Sequence, residues 1–140
     1  MEQNRKVTVY VKRAVLAIDK YSNQLLAAYD MTNAQYKVLK YVLLHAGSPV
    51  RSADLEAHFN MTNPTATGII QNLERKGLIR RVPNPQDGRS KLLEPTEYAH
   101  SIEEQLHWIG EEIEGHVTAN LTEAEREELI RLFVKMLGRE

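Results

Sequence analysis

Residues 62–96 read TNPTATGIIQNLERKGLIRRVPNPQDGRSKLLEPT, and this stretch decides how the chain folds. Its first half predicts a helix, because Thr62 or Asn63 can cap the first turn, Pro64 fits that turn, and Gly77 favours a left-handed stop. Apolar residues recur at helical spacing, so we expect a buried face made of Ala66, Ile69, Ile70 and Leu73.

The second half of the stretch predicts a β-hairpin. Two runs rich in branched apolar residues, LIRRV and SKLLE, flank the turn-rich segment PNPQDGR at residues 83–89. Prolines and an Asp-Gly pair end strands, whereas the flanking residues favour them. The tip should therefore project into solvent as a stiff turn, with Asp87 placed to orient Arg89.

The residues before this stretch predict two further helices. In SADLEAHF, residues 52–59, Ser52 is the predicted N-cap, and Leu55 and Phe59 lie one turn apart. A longer helix begins at the capping box that Thr32 and Gln35 can form. The order helix, short helix, turn, helix and hairpin is that of a winged helix-turn-helix.

A winged helix-turn-helix suits duplex DNA, because the major groove, about 12 Å wide, admits a helix whose outer side chains reach base edges. Hairpin cations can neutralise phosphates or enter a minor groove. We predict DNA contacts from Ser52, Asn63, Thr65, Thr67, Gln71, Arg75, Arg81, Asp87, Arg89 and Lys91. The alternative for the hairpin is an ordinary surface turn with a local ion pair.

Long amphipathic helices are predicted on both sides of this lobe. A helical face runs from Val7 to Tyr29, and a second continuous stripe, in a helix capped by Thr96, runs from Ile102 to Val117. A last helix begins at a capping box of Thr122 and Glu125. We expect it to bury Leu129, Leu132, Phe133 and Met136.

These helices hold more apolar residues than one winged helix can cover. We therefore predict a mainly α chain of the α+β class, in which residues 1–31 and 97–140 are dimerisation helices and 32–96 are the DNA-binding lobe. Two copies spaced by about one turn of DNA are the usual route to specific affinity. The alternative is that the second stripe is ordinary core within a monomer.

The segment NLERKGLIRRVPNPQDGRSKLLEPTEYA, residues 72–99, resembles MarR-type regulators. In that family the end of the recognition helix, a KGL turn, an Asp-x-Arg wing and a Thr-capped helix follow one another. The resemblance implies a homodimeric transcription factor on a pseudo-palindromic operator, usually a repressor released by a small ligand. It assigns Asp87 as the orienting acid and Arg89 as the minor-groove arginine. Gly68 stands where many relatives carry a polar residue.

Composition limits the other functions. The 140-residue chain has no cysteine, which excludes disulfides, thiolate catalysis and a peroxide-sensing thiol, and makes the cytoplasm the expected location. Basic charge is concentrated: residues 51–91 hold seven Lys and Arg against four Asp and Glu, whereas 92–140 hold four against twelve.

No apolar run is long enough to span a membrane. No nucleophile elbow, phosphate loop or HExxH spacing is present, so we expect neither an enzyme nor a cofactor.

Three alternatives concern signals and partners. Glu103, His107 and Glu111 lie four apart, with His100 and His116 nearby, which would suit a metal-responsive regulator. The winged helix could instead serve only protein contacts. Trp108 and Tyr36 could line a small-molecule effector pocket, although core aromatics are the simpler interpretation.

Overall fold

The computed structural model describes residues 5–138. Its elements are α1 (Val7–Leu26), a 3-10 turn (Ala27–Tyr29), α2 (Asn33–Leu44), α3 (Ser52–Phe59), α4 (Asn63–Arg75), β1 (Ile79–Pro83), β2 (Lys91–Pro95), α5 (Glu97–Ser101), α6 (Glu103–Val117) and α7 (Glu123–Leu137). The predicted order of helix, short helix, turn, helix and hairpin is therefore confirmed. The described residues form two compact units: one is Ser22–Ile109, and the other joins residues 5–21 to residues 110–138.

The unit Ser22–Ile109 has its core where α2, α3, α4 and the hairpin meet. Its fully buried side chains include Leu39, Val42, Leu55 and Leu73. The predicted capping box starts α2: Thr32 Oγ1 accepts the N–H of Gln35 at 3.2 Å, and Gln35 Oε1 accepts the N–H of Thr32 at 3.3 Å. The apolar positions of the sequence thus meet in one core, which holds the helix-turn-helix.

The short helix α3 corrects one prediction. Its N-cap is Arg51 and not Ser52, which is the first helical residue. The reason is Asp54, whose carboxylate accepts the backbone N–H of Arg51 at 2.8 Å and holds that residue in an extended conformation. The next helix, α4, is capped by Thr62, has Pro64 in its first turn, and ends before Gly77 at φ +74°.

The hairpin pairs β1 with β2 in antiparallel register, from Ile79 opposite Pro95 to Pro83 opposite Lys91. Leu93, buried on the inner side, donates its N–H to Val50 O at 2.8 Å, which ties the hairpin to the residues before α3. At the other end, Thr96 Oγ1 donates to Gly77 O at 2.6 Å. The hairpin is thus anchored at both helices of the helix-turn-helix.

The prediction of one continuous helix after Thr96 is wrong, because the helix is interrupted at a single residue. Thr96 does cap α5, but the helix is interrupted at Ile102, and α6 begins at Glu103. The carbonyl of Tyr98, which would accept the Ile102 N–H in a regular helix, instead accepts the Ser101 hydroxyl at 2.6 Å. The Ile102 N–H bonds to Ala99 O, which tightens the turn.

The unit that contains residues 5–21 and 110–138 exposes apolar surface. The predicted capping box of Thr122 and Glu125 starts α7, and Arg126 pairs with Glu114 at 2.7 Å. The prediction that α7 buries its apolar face is wrong for one chain, because Leu129, Leu132 and Met136 are 41 to 53% exposed. Residues 7–21 of α1, which belong to this unit, include no buried side chain. No helix among residues 5–138 is both long and apolar enough to cross a bilayer.

Candidate nucleic-acid interface

The helix α4 presents a polar outer face above a buried one. Its buried residues are Ala66, Ile70 and Leu73, as predicted, whereas Ile69 is half-buried. On the outer side, Thr65, Gln71 and Arg75 are exposed and Thr67 is half-buried, while an added Cβ on Gly68 would meet no heavy atom within 4 Å. This face can therefore approach a large partner closely.

Two predicted contact residues at the start of the helices α3 and α4 share one acceptor. Ser52 Oγ donates to Glu56 Oε2 at 3.3 Å, and Asn63 Nδ2 donates to the same oxygen at 3.2 Å. Sequence reasoning did not include Glu56 among the contact residues and missed this role. The spacing of four between Ser52 and Glu56 was the available signal.

The tip of the wing is held by short-range hydrogen bonds. Asp87 Oδ1 accepts the backbone N–H of Arg89 at 3.0 Å, and the Asp87 N–H donates to Asn84 O at 3.2 Å. Asn84 Nδ2 donates to Ser90 Oγ at 2.9 Å. Asp87 therefore acts on the backbone at Arg89 and leaves the guanidinium available. Such ordering lowers the entropy that the tip loses on binding.

The cations of the lobe differ in whether they are already paired. Arg80 lies 3.2 Å from Glu94, and Arg81 lies 3.0 Å from Glu74. Within the described part of the chain, neither Arg89 nor Lys91 forms an ion pair. Sequence reasoning singled out Arg89 but did not distinguish Arg81 from Lys91, whereas the structure separates the paired Arg81 from Lys91.

A groove of about 370 Å³ lies between the two helices and the wing. It brings together seven of the ten predicted contact residues, namely Ser52, Asn63, Thr67, Arg81, Asp87, Arg89 and Lys91. Thr65, Gln71 and Arg75 do not line it and lie on the exposed face of α4. The predicted residues thus form two neighbouring surfaces, one in the groove and one along the helix.

The residues considered for a metal site have other contacts. His100 Nδ1 lies 2.5 Å from Glu103 Oε1, and the His116 ring stacks on Tyr21 with centroids 3.7 Å apart. Among residues 5–138, no group of three or more His, Asp and Glu side chains is placed to hold a metal ion. The arrangement gives the metal-responsive alternative no support.

The two aromatic residues considered for an effector pocket differ in exposure. Tyr36 is buried, its hydroxyl donates to Leu106 O at 3.1 Å, and burial raises the pKa of that phenol. Trp108 is half-exposed. Tyr36 is therefore a hydrogen-bonded core residue, and Trp108 is the one of the two that a ligand can reach.

A family model and a curated relative both indicate the same family for this chain. The model of the MarR family matches residues 29–90. The chain is 31% identical over 120 residues to the multiple antibiotic resistance protein MarR of Escherichia coli, covering 85% of this chain and 82% of that protein.

Solved structures extend the similarity to the whole fold. The crystal structure of an E. coli MarR mutant complexed with operator DNA matches with a TM-score of 0.83 and 28% identity, covering 96% of both chains. The S. aureus MepR–DNA complex matches with a TM-score of 0.80 and 27% identity, covering 95% of both chains.

Proposed function

Because this chain belongs to the MarR family of transcriptional regulators, we propose that it is a homodimeric repressor that binds a pseudo-palindromic operator and is released by a small-molecule effector. Residues 32–96 are the DNA-binding lobe, and residues 1–31 and 97–140 supply the dimerisation helices. The observation that carries the proposal is the groove beside α4, where available cations stand next to an exposed polar helix face. Structures of DNA complexes of MarR and MepR support this assignment.

In this proposal α4 enters a major groove. Thr65, Thr67 and Gln71 face base edges, since short or flexible polar side chains on a recognition helix can donate to and accept from them. Arg75 follows one turn after Gln71 and suits a flanking phosphate. The open space around Gly68 lets the helix backbone approach the duplex.

The wing contacts the DNA beside that major groove. Arg89 and Lys91 have no competing ion pair in the described residues, so each can neutralise a phosphate or enter a narrow minor groove. Arg81 contributes less, because DNA must first compete with Glu74 for its guanidinium. Asp87 orders the tip through the backbone N–H of Arg89.

The homodimer is supported by the apolar surface of α7. Leu121, Ala124, Leu129 and Leu132 line an apolar depression, and no residue of α7 is buried in the single chain. Burying a leucine fully contributes about 1.5–3 kcal/mol, so a second copy that covered this face would gain substantially. A monomer leaves it in water.

An effector would act by binding one conformation of the dimer more tightly than another. A ligand with equal affinity for both conformations does not change the equilibrium between them. Trp108 is the single tryptophan of the chain and is half-exposed, so its fluorescence reports on ligands that reach this part of α6. A ligand that both changes this fluorescence and releases DNA would identify the effector class.

The test is a mobility shift on the protein's own promoter region and on a shuffled fragment of equal composition, at two salt concentrations. The wild type should bind the promoter more tightly, with affinity that falls as salt rises. Gln71→Ala should change the sequence preference, whereas the matched variant Gln105→Ala, at an exposed position of α6, should not. Sedimentation should show a dimer.

Two outcomes would count against the proposal. A dimer that binds both fragments equally at every salt concentration has no operator, and a winged helix used for protein contacts would then become the better assignment. A protein that binds the promoter specifically as a monomer would refute the role given to α7.

A further inference from the structure

Glu56 connects the two helices of the helix-turn-helix through one carboxylate oxygen. Its Oε2 accepts from Ser52 Oγ at 3.3 Å and from Asn63 Nδ2 at 3.2 Å, and the side chain lines the groove that faces the wing. These bonds occupy the hydroxyl proton of Ser52 and one amide proton of Asn63. The Ser52 hydroxyl and one of the two amide N–H groups of Asn63 are thus engaged inside the protein.

The contact also determines which way the Asn63 amide points. A carboxylate accepts but does not donate, so the NH₂ group of Asn63 must face Glu56, and Oδ1 lies on the other side. Asn63 is exposed in the first turn of α4. On the side that faces away from Glu56, the amide presents Oδ1, which accepts no hydrogen bond from residues 5–138 and which repels a phosphate oxygen and suits a donor.

In the major groove the base donors are exocyclic amino groups, N6 of adenine and N4 of cytosine. We infer that Glu56 is a specificity-determining positioning residue that turns Asn63 into an acceptor for an amino-bearing base. The inference rests on the proposed binding of operator DNA. It predicts that one position in each half-site favours adenine or cytosine over thymine or guanine, and that Glu56 maintains this preference without touching the base.

Removing the carboxylate should change both affinity and selectivity. In Glu56→Ala the Asn63 amide can rotate and donate to a phosphate, as can the Ser52 hydroxyl. Total affinity should rise, because these two donors are released and a negative charge that repels the DNA backbone is lost. The preference at the Asn63 position, about threefold to tenfold for one hydrogen bond, should disappear.

The experiment selects binding sites from a library with randomised half-sites, and then measures affinities for the wild type, Glu56→Ala, Glu56→Gln and Asn63→Ala. Glu56→Gln keeps an acceptor and should keep the preference, which separates the hydrogen bond from the charge. Glu104→Ala, an exposed carboxylate of α6, is the matched control and should leave the preference unchanged. In the Asn63→Ala background, Glu56→Ala should cause no further change in the preference for that base.

A second measurement uses the wild type and does not depend on the folding of Glu56→Ala. Replacing the preferred base by the same base without its exocyclic amino group should weaken binding about threefold to tenfold, and should not affect Asn63→Ala. An equal loss in both proteins would overturn the inference. So would an unchanged preference in folded Glu56→Ala. A wild type that binds no DNA specifically would instead refute the proposed function itself.

Discussion

Removal of the Arg89 charge should weaken DNA binding much more than removal of the Arg80 charge, although both arginines lie on the hairpin. Arg80 lies 3.2 Å from Glu94 Oε2, so its charge is partly compensated within the protein. Arg89 forms no ion pair among residues 5–138, and its backbone N–H is fixed by Asp87. Arg89→Ala and Arg80→Ala remove equal charge from different electrostatic settings.

The magnitude follows from counterion release. Each neutralised phosphate contributes about −0.9 to the slope of log K against log salt, so a dimer that loses two wing contacts should lose about 1.8 of that slope. At about 0.1 M salt the same two contacts correspond to roughly a 60-fold loss of affinity. Arg80→Ala should lose less than about fivefold, because an exposed ion pair is replaced by a freed Glu94 at small net cost.

The assay is fluorescence anisotropy of a labelled operator fragment, titrated at several salt concentrations between about 50 and 200 mM, where phosphate contacts change affinity measurably. Thermal unfolding of both variants checks that the fold is intact. If Arg89→Ala kept the wild-type slope, Arg89 would not meet a phosphate. If both variants lost the same slope, the distinction between paired and available arginines would be refuted.

Three further predictions concern stability. Gly68→Ala should stabilise the fold by about 0.5–1 kcal/mol, since Gly68 lies within α4 and an added Cβ meets nothing within 4 Å; a lower Tm would contradict this. Thr62→Ala should destabilise by about 1 kcal/mol by removing the cap that accepts the Thr65 N–H; chemical denaturation with an unchanged midpoint would show that water replaces it. The backbone N–H of Arg51 lowers the pKa of Asp54 from its ordinary 3.8. This carboxylate therefore stabilises the fold above pH 3.8, and its contribution is lost as the pH falls through the lowered pKa of the folded state. Asp54→Asn should therefore flatten the stability curve below about pH 4, and an equally steep curve would argue against the bond.

Local features of the fold could be predicted from the sequence because neighbouring residues determine them. The capping boxes of Thr32 and Thr122 form as predicted, since the partner of each lies three residues away. Gly77 takes the left-handed conformation that follows the end of α4. The hairpin likewise follows from two β-prone runs around a tip of prolines and Asp-Gly.

Local competition explains two errors. Ser52 was expected to cap α3, but Asp54 accepts the Arg51 N–H and moves the cap by one residue. The Ser101 hydroxyl takes the carbonyl of Tyr98, so the helix predicted to be continuous is interrupted at Ile102. In both places a side chain within three residues forms a hydrogen bond with the backbone, and the periodicity of apolar residues carries no information about such bonds.

The sequence by itself determined the helices, the hairpin, the sign of the charge on residues 32–96 and the polar residues on the outer face of α4. Only the tertiary structure decided which of these groups are available. Arg81 meets Glu74, and Asn63 meets Glu56, across seven residues each. Among residues 5–138, the Arg89 guanidinium meets no acceptor, and the Arg89 backbone N–H bonds to the Asp87 carboxylate. The reason is geometric: a hydrogen bond or ion pair requires about 3 Å between specific atoms, and the packing of α3, α4 and the wing sets those distances.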